Sequence, residues 1–380
     1  MPYAEGRTYH DADSHLMELD DWLASHADPG VRERIRPLSL GGAGALAEQA
    51  VRDATARRGD REAARALEAK LLTAKGWSAL GAFDPGERSR ALDLLGFAKQ
   101  LVFSTFAATQ FGSDDLDLLY GGARAHNRAM AAFCAHDPRL LAVAFVPWGD
   151  PARAAAEAAE AIRLGCRAVL VPSAPPKDRS PFHPDYHRFW ATLQDADVPF
   201  VLHIGGGGRP LRRAFHANGK PPTTDFLGGG ENVRAKDYMC IHTPPEIVLS
   251  CFVLDGMPDA FPRLRGGCIE QGALWVVPWL RRLDLAMNFA RTEPALRELS
   301  AKPSELVRGR LWFTPFPNEP VGWMIENAGD DLFLFSSDYP HPEGGRDPLA
   351  RFEASLAAIP EPAKERFYAG NFAAMMGGAL

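Results

Sequence analysis

Short apolar runs alternate with amphipathic stretches along most of the 380-residue chain. Eight of the runs have the length of a buried β-strand, and several are apolar on both faces, which is typical of parallel strands covered by helices. The predicted strands are Thr8–Ala12, Gln100–Thr105, Leu140–Val146, Arg167–Val171, Pro199–His203, Arg265–Glu270, Leu311–Phe313 and Leu332–Ser336.

Between these runs, apolar residues recur at three- and four-residue steps and predict helices with one buried face. The clearest is Asp150–Leu164, which is rich in Ala and Glu and is followed by Gly165. Eight strand–helix repeats predict one α/β domain over residues 1–380, folded as a closed (β/α)8 TIM barrel. A doubly wound open sheet is the alternative, but it normally carries a Gly-rich phosphate loop after the first strand, and none stands there.

Two segments do not fit the repeat. Residues 42–80 contain Leu46–Lys75, rich in good helix formers, and predict a helical insertion that covers the barrel mouth or a partner. The alternative is a solvated surface helix. Residues 205–240 hold two glycine clusters with basic residues between them and predict a long Gly-rich lid loop over a substrate.

Composition narrows the class of protein. The chain is 46% hydrophobic and carries a formal net charge of -6, with acidic and basic residues interspersed, so no basic stripe is present for nucleic acid. The five cysteines are scattered and indicate reduced thiols. Because no apolar run reaches the length of a membrane span and the first residues are polar, we expect a cytoplasmic protein with a small-molecule substrate and no membrane partner. Base rates favour a homodimer.

Polar side chains end several of the predicted strands, and the carboxyl ends of barrel strands build the active site. Asp11, Asp13 and His15 alternate along the first strand and so share one side. His203 ends the apolar fifth strand, and Glu270 ends the sixth. We predict that Asp13, His15, His203 and Glu270 bind metal, since buried carboxylates are paired or bind a cation.

Alternatives remain for two of these carboxylates. Asp11 has the residue type of a helix N-cap. Glu270 has a possible ion-pair partner in Arg281 or Arg282. The sequence alone leaves both alternatives open.

The eighth strand leads into Ser337-Asp338-Tyr339-Pro340-His341, the sharpest local signal. Asp338 is predicted as a metal ligand or as the base that takes a proton from metal-bound water, and His341 and Glu343 as substrate or supporting contacts. His242, just before a helix, is a further candidate for a ligand or a substrate contact. Arg209 is predicted to hold a substrate carboxylate, as are its neighbours Arg212 and Arg213.

Together these residues resemble the amidohydrolase-related family that includes aminocarboxymuconate-semialdehyde decarboxylase. The motifs that carry the resemblance are Asp11-Ala12-Asp13-Ser14-His15, the apolar run into His203, Gly256 with Phe261-Pro262-Arg263-Leu264, Glu270-Gln271-Gly272, Arg281-Arg282-Leu283-Asp284, Ser337-Asp338-Tyr339-Pro340-His341 and Asn371-Phe372. The resemblance implies a barrel with one or two divalent metals, used for hydrolysis, hydration or non-oxidative decarboxylation.

Two positions depart from the family pattern. Family decarboxylases carry two histidines at the first strand, whereas this chain has Asp13 and keeps only His15; they also carry a catalytic histidine where Glu270 stands. Carboxylates are harder ligands than imidazole and can bridge two ions, so both changes favour iron, manganese or a dinuclear site over mononuclear zinc.

Three functions follow as hypotheses. The first is a metal-dependent hydrolase or decarboxylase of a bulky or cyclic carboxylic acid, with Asp338, Glu270 and His341 as catalytic residues. The second is a non-heme di-iron monooxygenase that hydroxylates such an acid, with Asp13, His15, His203, Glu270 and Asp338 as ligands. The third is a barrel that binds a ligand without catalysis. A bulky substrate is suggested by aromatic residues near the loops, which are Trp77, Phe106, Phe111, Trp148, Trp275 and Phe316.

Overall fold

A computed structural model describes residues 2–38, 44–206, 211–221, 234–290 and 292–380. Its centre is a parallel sheet whose seven strands follow one another in chain order. The strands are β1 His10–Leu16, β2 Lys99–Ser104, β3 Leu140–Phe145, β4 Ala168–Leu170, β5 Phe200–His203, β6 Gly266–Ile269 and β7 Leu311–Phe313. Each agrees with a predicted strand to within a few residues; the largest shift is in β1, which continues to Leu16 rather than ending at Ala12.

The eighth predicted strand, Leu332–Ser336, closes the ring without forming a regular strand. Phe333 bridges Phe313 of β7, and Tyr339 bridges Ser14 of β1, both in parallel sense. The outer helices take some of the hydrogen bonds that a strand would use: the Phe335 amide donates to the carbonyl of Phe367 over 3.0 Å, and a side-chain amide binds the Phe333 carbonyl. The predicted α/β barrel is therefore confirmed, with an irregular eighth member.

Helices fill the connections between strands and cover the outside of the barrel. Most begin with an acceptor side chain or a proline, as Asp150 does where its side chain accepts from the Arg153 amide. The helices are α1 Pro29–Arg32, α2 Gly44–Arg57, α3 Arg61–Glu68, α4 Pro85–Leu95, α5 Ala108–Phe111, α6 Leu116–Cys134, α7 Pro151–Arg163, α8 His187–Asp195, α9 Ala235–Tyr238, α10 Thr243–Leu254, α11 Met257–Ala260, α12 Val276–Phe289, α13 Pro294–Arg297, α14 Pro303–Val307, α15 Val321–Ala328, α16 Pro348–Ser355, α17 Glu361–Glu365 and α18 Asn371–Met376.

A large hydrophobic core joins the sheet to most of these helices, and a smaller cluster around Phe111 packs α5 against α6. The packing of the large core is tight enough to dictate residue size: a Cβ on Gly266 of β6 would lie 2.3 Å from the ring of Phe200, its register partner on β5. None of the helices in the described ranges is both long and apolar enough to cross a lipid bilayer.

The described part of the predicted insertion at residues 42–80 contains α2, α3 and a 3-10 turn at Gly76–Ser78, joined by turns. Its far end lies on the barrel mouth. The Gly76 amide donates to the carbonyl of Pro340 over 2.9 Å, and the Trp77 indole donates to the carbonyl of Glu18 and stacks on Phe106. The insertion therefore contacts the loops that follow β1, β2 and the eighth strand.

The predicted lid at residues 205–240 lies partly outside the described residues, and so does Arg209. Its described parts include a 3-10 turn at Arg213–His216 and helix α9. The prediction of a substrate lid stays a prediction.

Candidate metal centre

Six side chains converge inside the carboxyl end of the barrel, and we call them the six-residue cluster. They are Asp13, His15, His203, Glu270, Asp338 and His341. Five of them are the metal ligands predicted from the sequence, and the sixth, His341, was predicted as a catalytic residue. All are buried. Residues that are up to 328 positions apart in sequence therefore meet because the barrel places its strand ends in a ring.

The strands explain how each side chain reaches the cluster. Asp13 and His15 are two residues apart on β1, so both point to the same side. His203 is the last residue of β5. Glu270 directly follows β6, and Asp338 lies two residues after the irregular eighth segment; both have left-handed backbone, with φ of 54° and 53°. Such backbone costs on the order of 1 kcal/mol or more for each non-glycine residue, and strain of this kind concentrates at functional sites.

The nitrogen–oxygen distances in the cluster are longer than those of good hydrogen bonds, although the polar atoms face one another. His15 Nε2 is 3.3 Å from Asp13 Oδ1, 3.5 Å from Asp338 Oδ1 and 3.9 Å from a Glu270 oxygen. His203 Nε2 is 3.4 Å from both Asp13 Oδ1 and Glu270 Oε2. Ligands of an ion bound at about 2.2 Å lie about 3 Å apart when adjacent and about 4.4 Å apart when opposite. The separations fit a set of ligands around a cation.

The hydrogen-bonding chemistry leads to the same conclusion. His203 Nδ1 lies 3.1 Å from the carbonyl of Ile204, which can only accept, so the Nδ1 nitrogen carries the proton and the Nε2 lone pair faces Asp13 and Glu270. Asp338 has no hydrogen bond to either carboxylate oxygen within the described part of the chain. Acceptors that face one another in a buried space need a cation or a proton between them. The cluster is positioned to bind a divalent metal ion.

The protonation states also suit metal binding. Burial and the adjacent His341 lower the pKa of His15 to about 3, so its imidazole is neutral and able to act as a ligand. Asp338 differs from His15: burial, followed by the charges of Asp13 and Glu343, raises the pKa of Asp338 well above its ordinary value and favours a proton on this carboxyl.

A layer of buried polar groups holds the cluster in place. Asp11 does not cap a helix: its carboxylate accepts from Gln100 Nε2 over 2.8 Å and from the amide and hydroxyl of Ser337 over 2.7 and 2.6 Å. Asp11 thus ties β1 to β2 and to the residue before Asp338. On the same loop, a Cβ on Gly344 would lie 2.0 Å from the Ser337 carbonyl, so only glycine allows this close packing.

The structure also decides between the alternatives for Glu270. Its carboxylate lies in the six-residue cluster, whereas Arg282 pairs with Glu246 on α10. His242 does not join the cluster. Its Nε2 is 3.7 Å from Glu246, and its ring stacks on Trp275 with centroids 6.0 Å apart. The suggestion of His242 as a ligand is not supported by the structure, and its role in substrate binding stays a prediction.

Three residues near the cluster were missed by sequence reasoning. Thr105 follows β2 and contacts both His15 and His341 through its hydroxyl. Glu18 is fully buried and accepts the backbone amides of residues 105–107. Lys75 is a half-buried cation from the insertion: burial lowers its pKa, while the negative charges of Asp338 and Glu343 raise it. A threonine directly after a strand and a glutamate three residues beyond His15 are weak signals without the fold.

Comparison with known proteins identifies the family. The amidohydrolase family model matches residues 11–377. Solved structures share the fold at low identity. An amidohydrolase from Mycobacterium avium subsp. paratuberculosis is 20% identical, with a TM-score of 0.74 over 98% of this chain and 100% of its own.

Two decarboxylases are also similar. The 5-carboxyvanillate decarboxylase of Sphingomonas paucimobilis is 20% identical, with a TM-score of 0.59 over 98% of this chain and 99% of its own. A dihydroxybenzoic acid decarboxylase of Polaromonas sp. JS666, solved with manganese and the inhibitor 2-nitroresorcinol, is 18% identical, with a TM-score of 0.63 over 98% and 97% of the two chains. With a family match that spans nearly its whole length, the chain belongs to the amidohydrolase family.

Proposed function

We propose that the protein is a metal-dependent decarboxylase that removes the carboxylate of a bulky or aromatic carboxylic acid without an external oxidant. The observation that carries the proposal is the six-residue cluster, in which three carboxylates and three imidazoles converge at the catalytic end of an amidohydrolase barrel. Named structural neighbours that act on 5-carboxyvanillate and dihydroxybenzoic acids support this choice over hydrolysis.

The residues divide into two roles by their place in the cluster. Asp13, His15, His203 and Glu270 form one of the two groups with metal-binding geometry and would hold the ion. A divalent ion bound there supplies a Lewis acid for the oxygen atoms of the substrate. The Asp338 side chain is 9% exposed, against 1% for Asp13, so Asp338 lies on the side of the cluster that faces the mouth. This position suits an acid–base group that meets the substrate.

Decarboxylation replaces a carbon–carboxylate bond with a carbon–hydrogen bond. Asp338 holds the proton that is added to the carbon bearing the carboxylate; the electron pair of the broken bond returns to the ring, and CO2 leaves. Asp338 then takes a proton from solvent. His341 Nδ1, 3.3 Å from Asp338 Oδ1, orients this carboxyl group.

Substrate recognition needs a cation near this acid. Arg209, predicted from the sequence, lies outside the described residues. Lys75 is placed for the task, because the residue after it is hydrogen-bonded to Pro340, two positions from Asp338. Lys75 would therefore bind an anionic group of the substrate.

The test is turnover by the metal-loaded protein in D2O without oxygen, with hydroxylated aromatic acids as the panel of substrates. We expect CO2 release that depends on Mn2+ or Zn2+ and deuterium at the carbon that lost its carboxylate. Hydrolysis of ester or amide analogues, with no CO2 from any acid, would contradict decarboxylation and favour the hydrolase hypothesis.

A di-iron monooxygenase is the second candidate, and one observation favours it. The cluster resolves into two overlapping four-residue groups, one with Asp13 and His203 and one with Asp338 and His341, which share His15 and Glu270. Carboxylate-rich sites of this size suit two iron ions. Two equivalents of iron per chain, with oxygen uptake linked to hydroxylated product, would replace the decarboxylase proposal. A protein that holds no metal would favour the non-catalytic barrel.

A further inference from the structure

One hydroxyl group lies beside two of the imidazoles in the six-residue cluster. Thr105 Oγ1 is 3.1 Å from His341 Nε2 and 3.5 Å from His15 Nδ1. The two rings stack on each other, with centroids 3.8 Å apart and planes inclined by 18°. Thr105 therefore faces the far nitrogen of both rings, while their other nitrogens face the carboxylates.

The single proton of this hydroxyl has a defined destination. Thr105 Oγ1 lies 2.9 Å from the carbonyl oxygen of Leu16, which can only accept, and 3.6 Å from the Met17 sulfur, a weak acceptor. Donation to the carbonyl leaves the Thr105 oxygen as an acceptor. A neutral His341 that contacts it through Nε2 must then carry its proton on Nε2.

This choice of tautomer decides what His341 offers to the cluster. With Nε2 protonated, the Nδ1 lone pair points at Asp338 Oδ1, 3.3 Å away, so either the proton of Asp338 or a cation lies between these two atoms. The same reasoning applies to His15 at the longer Thr105 distance, and leaves its Nε2 lone pair facing Asp13 and Asp338. Groups that bind the outer nitrogen of a ligand histidine fix its tautomer and ring orientation.

The threonine is itself held rigidly. The carboxylate of Glu18 accepts the backbone amides of Thr105, Phe106 and Ala107 over 2.8, 3.0 and 3.0 Å. The Trp77 indole from the insertion donates to the Glu18 carbonyl over 2.9 Å. The position of the hydroxyl is therefore set by buried groups and does not depend on a ligand.

We infer that Thr105 is a positioning residue, whose hydroxyl holds His341 and His15 as the tautomers that present their lone pairs to the ion, and that His341 is thereby a metal ligand as well as a neighbour of Asp338. The inference rests on the proposed metal site and deepens it. It adds to the predicted ligand set one histidine, and to the predicted site one group that sequence patterns do not mark.

The experiment is a titration of the metal-depleted full chain with Mn2+, in which binding is measured by calorimetry. Thr105→Val keeps the branched shape and removes the acceptor; we expect Mn2+ to bind about 10- to 100-fold more weakly, the range found when outer partners of ligand histidines are removed. Thr105→Ser restores the hydroxyl and should bind within about 3-fold of the parent. The matched control is Ser104→Ala, because the Ser104 hydroxyl contacts His126 at 2.8 Å and not the cluster.

Long-range proton–nitrogen NMR of labelled histidines measures the tautomer of each ring, which a change in packing alone would not alter. The parent should show His341 protonated on Nε2, and the Val variant a mixture of tautomers. Unchanged Mn2+ affinity in Thr105→Val, or equal weakening in the Val and Ser variants, would overturn the inference. If Thr105→Val does not fold, Thr105→Ala against Thr105→Ser makes the same comparison. Failure of the parent protein to bind Mn2+, Zn2+ or iron would instead overturn the proposed function and the inference together.

Discussion

Buried His126 on α6 makes the stability of the barrel depend on pH. Its ring is fully buried, with Nδ1 2.9 Å from Asn127 Oδ1 and Nε2 2.8 Å from the hydroxyl of Ser104. Asn127 Oδ1 also accepts the Phe145 amide, so Nδ1 is the donor in this pair and Nε2 accepts from Ser104. Burial lowers the pKa of His126 from 6.5 to about 4. The folded protein therefore keeps this ring neutral where the unfolded chain protonates it.

Proton linkage gives the sign and size of the change in the free energy of unfolding with pH. Between pH 6.5 and about 4, the unfolded state binds more protons than the folded state, so the free energy of unfolding falls as the pH falls. The full difference is about 3 kcal/mol, reached below both pKa values, and the step from pH 7 to pH 5 removes about 2 kcal/mol of stability. Above about pH 7.5 the group contributes no further change.

The assay is urea unfolding of the parent and of His126→Gln at pH 7 and pH 5. Other buried groups titrate in both proteins, so the difference between the two pH dependences isolates His126. We expect the parent to lose about 2 kcal/mol more than the variant on acidification. Equal losses in the two proteins would refute the reasoning, because they would mean that His126 is protonated in the folded state as easily as in the unfolded chain.

Three further predictions concern the site. Asp338→Asn should abolish turnover with the fold retained, as checked by steady-state kinetics and circular dichroism; retained activity would remove Asp338 from the acid–base role. Glu270→Ala should lower the metal content of purified protein, measured by elemental analysis, and unchanged occupancy would show that Glu270 is not a ligand. Lys75→Met should raise KM for an acidic substrate by about 10-fold or more while Mn2+ affinity stays near that of the parent. An unchanged KM would exclude Lys75 from substrate binding.

Strand patterns in the sequence predicted most of the residues in the cluster. Asp13, His15, His203 and Glu270 were predictable because each stands at or beside the end of an apolar run, and parallel strands of a barrel end on one face. His242 was chosen because it stands just before a helix, not at the end of a strand, and it pairs with Glu246 instead. The side of a strand on which a residue lies alternates along the chain and can be predicted from the sequence. The direction of a side chain in a loop depends instead on the residues that pack against it.

Asp11 shows a limit of prediction from strand alternation. Asp11 shares the alternation of Asp13 and His15, but a register shift in the β1–β2 pairing between Asp11 and Ser14 accompanies a different role, in which Asp11 accepts from Gln100 and Ser337. The chain's alternation predicted three residues on one side; the contacts with neighbouring strands assigned two of them to the cluster.

Hydrophobic periodicity along this chain was sufficient to determine the class of fold, the order of its strands and the residues at their ends, because those features depend on local repeats of two and about three and a half residues. Tertiary structure alone decided that His341 joins the cluster, that Glu270 faces two histidines rather than an arginine, and that the threonine after β2 contacts two rings. These facts depend on distances between segments far apart in the chain, which only the closure of the barrel sets.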